Sequence, residues 1–74
     1  MGIEELKNLQ QNLHGKNLSV LLIGGNVLEG LWITNQFHSV TASARMVLRT
    51  KEGQVTIPIN QIKSITELNL NNQL

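Results

Sequence analysis

A chain of 74 residues is a single domain, and one so small buries a modest share of its surface and is marginal alone. It has no cysteine, so disulfides are excluded, and His14 and His38 lie too far apart to suggest a zinc site; association with further copies is the stabilising device left. The formal net charge of +1 excludes a lone copy as an electrostatic binder of nucleic acid, although a ring of copies can still gather its basic side chains on one face.

The first predicted element is a helix over residues 3–13, IEELKNLQQNL. Ile3, Leu6, Leu9 or Gln10, and Leu13 recur every three to four residues and make one apolar stripe. Glu4 and Glu5 sit in the first turn, where the helix dipole favours anions. Gly15 ends it, since glycine takes the left-handed conformation of a helix cap without a side-chain clash. About 11 residues of helix hardly persist alone in water, so the stripe needs a surface to lie on.

Residues 17–23, NLSVLLI, predict a first strand, and Gly24-Gly25-Asn26 a hairpin turn. Residues 27–35, VLEGLWITN, predict a second strand in which Gly30 marks a sharp bend or a close backbone approach. Residues 35–39 read as a polar turn carrying the only phenylalanine, Phe37. A long third strand over residues 39–50 places Val40, Ala42, Ala44, Met46 and Leu48 on one face and Arg45, Val47 and Arg49 on the other. Lys51-Glu52-Gly53 is a second hairpin turn. Residues 54–57 predict a fourth strand, which Pro58 ends, and residues 61–68 a fifth with Ile62 and Ile65 inward.

One helix and five short-looped strands, the second strongly bent, predict a mostly β domain over residues 1–68. It is a small antiparallel barrel of the OB or SH3-like kind with a polar tail over 69–74. The proline break leaves the fourth and fifth strands with exposed edges. Pairing the fourth strand of one copy with the fifth of the next gives a head-to-tail contact, which closes into a ring. No apolar run approaches the roughly 20 residues of a spanning helix, and the acidic opening MGIEELKN is unlike a secretory leader. A cytoplasmic protein without a membrane partner is expected.

At this point the residues resemble the Sm and Sm-like family, Hfq-like bacterial members included, over residues 3–66. LSVLLIGGNVLEG is similar to the family's apolar strand, glycine turn and second glycine. Asn35-Gln36-Phe37-His38-Ser39 looks like its Asp-x-aromatic-Met-Asn turn. Gln54 to Ile65 occupies the place of its second motif and ends in the same Ile-x-x-Ile. The resemblance implies a five-stranded, SH3-like Sm-fold barrel in a homo-oligomeric ring, a hexamer or heptamer, binding single-stranded RNA near its pore as an RNA chaperone does. It makes Phe37 the stacking aromatic, sets Asn35 in place of the acid that orients the turn, and sets Ser39 in place of the base-contacting asparagine. Asn60 matches a polar residue of the second motif. The chain departs from the family at Pro58 and Ile59, where the basic residue of the pore is missing, and at Leu21, where Hfq has an aromatic RNA-binding residue.

Each candidate has a plain alternative. Phe37 either stacks on a base or folds back on the barrel, and Trp32 is either a core or subunit-contact residue or an exposed stacking site. His38 is either a solvated turn residue or a base contact. Arg45 and Arg49 are either a solvated outer face or a phosphate patch, and Lys63 lies on the pore side or a subunit seam. No carboxylate pair, nucleophile context or phosphate loop is present, so no enzyme, cofactor or metal is expected. The rival to RNA binding is an oligomeric scaffold or protein-interaction module on the same fold.

Overall fold

The helix α1 spans Ile3–Leu13, as its stripe predicts, and lies on a β-sheet through that stripe. Leu6 is fully buried in the core, and Ile3, Leu9 and Leu13 pack around it. In this computed structural model, which describes residues 1–38 and 43–68, the C-terminal end of α1 is fastened to a strand. Gly15, at φ +80°, donates its N–H to the Trp32 carbonyl at 2.9 Å, and the Trp32 N–H donates to the Lys16 carbonyl at 3.1 Å. The His14 ring donates from Nε2 to the Ile33 carbonyl, which can only accept and so fixes the tautomer.

Five antiparallel strands follow: β1 (Asn17–Leu22), β2 (Val27–His38), β3 (Ser43–Thr50), β4 (Gly53–Pro58) and β5 (Ile62–Glu67). A 3-10 turn, Ile59–Gln61, joins the last two. The strands make one open sheet in the order β4-β3-β2-β1-β5, so β4 and β5 are its two edges. The Gly24–Asn26 and Lys51–Gly53 turns close the β1–β2 and β3–β4 hairpins as expected.

The second strand differs from its sequence reading. It runs on beyond Asn35 through Gln36, Phe37 and His38, which pair with Arg45, Ala44 and Ser43. The polar residues read as a turn are therefore ladder residues, because a partner strand outweighs local turn preference. Residues 39–42, which include the expected start of the third strand, and the tail 69–74 lie outside the described residues.

Two features mark the middle of β2. A Cβ added to Gly30 would meet the Arg49 carbonyl oxygen at 2.6 Å, so this position admits only glycine without a backbone shift. Further along, the register passes from Trp32↔Leu48 to Thr34↔Val47 and leaves Ile33 as the extra residue of a bulge. A bulge bends its strand and increases its twist.

Because of that bulge, Trp32, Asn35 and Phe37 share a face with their register partners Leu48, Met46 and Ala44. This is the helix-covered face, where Leu18, Val20, Trp32, Met46, Leu48, Ile57 and Ile62 form the core with Leu6. Val47 is also fully buried, although it lies on the opposite face outside that cluster. Thr34 and Thr56 flank it in register on either side, as befits an internal strand.

Candidate functional site

The end of the sheet where β2 leaves and β3 returns holds most of the sequence-predicted residues. Phe37 is the last aromatic on the core face, just past where the buried cluster ends, and is 52% exposed. Its register partner Ala44 is a small, buried residue. Gln36, Phe37, His38, Ser43, Ala44 and Arg45 line a cavity of about 310 Å³.

A second cavity of about 610 Å³ adjoins it. Pro58, Ile59 and Asn60 form one side and the start of the chain, Met1 to Glu4, another. Phe37 and Asn60 line different cavities, which share Ser43 and Ala44 of β3. The reason is topological: β3 pairs with β2 on one side and β4 on the other, and the 3-10 turn carrying Asn60 follows β4 directly.

Asn35 is placed differently from its neighbours. Its Oδ1 accepts the Trp32 Nε1–H at 3.0 Å, while the Thr34 carbonyl is a second acceptor at 3.2 Å. The indole is only a donor, so the amide cannot be turned over, and Asn35 Nδ2 is buried without a hydrogen-bond partner. Asn35 braces the base of the hairpin through its amide oxygen. Trp32 itself is fully buried, which rules out an exposed stacking role.

The remaining residues diverge. Arg45 and Arg49 are exposed on the face opposite Phe37, with Gln36 and Pro58 flanking Arg45 and Leu31 and Gln54 flanking Arg49. Of the two, only Arg45 reaches the Phe37 cavity. Lys63 is exposed on the edge strand β5, at the interruption in its pairing with β1. His38 is exposed opposite Ser43, and Ser39 lies outside the described residues.

Sequence reasoning missed Lys7. Its ammonium lies 5.7 Å from the centroid of the Phe37 ring, inside cation–π range. Nothing in the helix pattern singles it out, because the contact exists only once α1 is laid on the sheet.

Among the described residues no group of three or more His, Cys, Asp or Glu is placed to hold a metal ion. No described helix is long and apolar enough to cross a membrane. Comparison with protein-family models, with curated proteins and with solved structures found no match.

Proposed function

We propose that the chain is a subunit of an Sm-like homo-oligomeric ring, of six or seven copies, that binds single-stranded RNA beside its pore. The observation that carries the reading is the strand order β4-β3-β2-β1-β5, which leaves two six-residue edges of matching length. β4, GQVTIP, has no charged residue and its proline stands at its end, while β5 carries Lys63 at the break in its pairing with β1, so most of each edge is open to a partner strand. Joining β4 of one copy to β5 of the next satisfies both edges and closes the curved sheets into a cycle of barrels. Such a ring brings one Phe37 and one Asn60 per copy to one end of the assembly, and the repeated sites supply the affinity that a net charge of +1 per chain does not.

In the bound state Phe37 is the stacking surface, with His38, Ser39 and Asn60 around the base and Arg45 at the cavity rim. Substituting Phe37→Ala tests the reading: RNA binding is lost while the oligomer persists. Collapse of the oligomer assigns Phe37 to the subunit contact instead.

The second reading is a ring-forming scaffold without RNA. The uncharged Pro58 and Ile59 beside Asn60 and the net charge of +1 favour it.

A further inference from the structure

The structure assigns to Lys7 a part in the Phe37 site that the sequence does not reveal. We propose that its ammonium covers the Phe37 ring in the free protein and moves onto the flanking phosphate when a base stacks there. The inference rests on the RNA-binding reading and deepens it, naming the residue that supplies charge at the stacking site.

Three observations carry it. Phe37 is half-exposed beyond the buried core, so its ring is a surface feature and not packing. Lys7 is exposed, and its ammonium stands 5.7 Å from the ring centroid. That is close to the outer limit of about 6 Å for the contact, so a base displaces it easily. Among the described residues the recorded ion pair is Lys16–Glu67, and Lys7 has no carboxylate holding its charge. The ammonium is a point charge on a flexible four-carbon stem, which suits a short swing from ring face to phosphate.

Of the other cations, Arg45 lines the cavity beside Phe37 but from the opposite face of the sheet, and Lys16 faces Glu67 at 3.6 Å. Arg49 lies on the opposite face, Lys63 on the far edge strand, and Lys51 in the turn at the other end of β3.

The test is the salt dependence of binding to short labelled U-rich and A-rich oligoribonucleotides, for wild type, Lys7→Gln, Lys7→Arg and the control Lys51→Gln. Each phosphate contact adds about 0.7 to the slope of log affinity against log salt for a single strand. Lys7→Gln is expected to flatten the slope by about 0.7 or more and weaken low-salt binding several-fold. Lys7→Arg retains wild-type behaviour, and Lys51→Gln leaves the slope unchanged. An unchanged slope in Lys7→Gln, with wild-type binding present, overturns the role of Lys7 alone. Equal flattening by Lys51→Gln overturns it too, since the effect is then one of net charge. Absence of wild-type binding overturns the functional reading and this inference with it.

Discussion

The indole N–H of Trp32 reaches across the β2 bulge to the Asn35 amide oxygen at 3.0 Å, joining the fully buried core to the hairpin that carries Phe37. The bulge makes the contact possible. With Ile33 as the extra residue, positions 32 and 35 fall on one face, which a regular strand would place on opposite faces. Removing either partner has different consequences. Trp32→Phe opens a cavity and leaves Asn35 Oδ1 without its donor, costing about 2–4 kcal/mol. Asn35→Leu costs less than about 1 kcal/mol, because the indole keeps the Thr34 carbonyl and an unpartnered buried donor disappears. Urea unfolding at fixed protein concentration orders the two; equal losses contradict the assignment.

Gly30→Ala destabilises the fold through the backbone. The added Cβ would meet the Arg49 carbonyl at 2.6 Å, and a carbonyl within the β3 ladder does not move cheaply. Overpacking of this kind costs about 1–3 kcal/mol. For a domain of this size each kcal/mol lowers the thermal midpoint by about 4–8 °C. An unchanged midpoint contradicts the close approach of β2 to β3.

The proposed ring predicts that charge on both sheet edges prevents its assembly. Thr56 on β4 and Ser64 on β5 are exposed, and each lies on the outer face, opposite Ile57 and Ile65 respectively. The double substitution Thr56→Lys and Ser64→Lys sets like charges against each other wherever β4 meets β5 of the next copy. The expected product is a folded monomer of 8.2 kDa by light scattering, with wild-type far-UV circular dichroism. Persistence of the oligomer excludes edge pairing as its basis.

Phe37→Ala separates stacking from packing. The ring is half-exposed and outside the buried cluster, so the unfolding midpoint changes little. A lost stacking contact is worth about 1–3 kcal/mol per base, which is roughly 5- to 150-fold in Kd. Fluorescence anisotropy with short oligoribonucleotides reads this directly.

Local signals in the sequence were readable wherever local chemistry decides. The stripe Ile3, Leu6, Leu9, Leu13 with Gly15 behind it gives α1 to the residue, and the two glycine turns give two hairpins. Gly30 announces a close approach, although its partner, the Arg49 carbonyl, is visible only in the fold. The hairpin end of β2 past Asn35 reads as a polar turn in sequence, and what holds Gln36 and His38 in a strand is pairing to Arg45 and Ser43. The same dependence hides the site. The spacing of Phe37 and Asn60 in sequence says nothing of the Ser43–Ala44 wall between their cavities. Lys7 meets Phe37 only through the seating of the helix on the sheet.

The most direct test of the central claim is the mass of the native assembly, measured with and without a short single-stranded oligoribonucleotide. The account predicts one closed species of six or seven 8.2 kDa chains that gains the mass of bound RNA. A stable monomer, or an oligomer whose mass is unchanged by RNA at low salt, contradicts it.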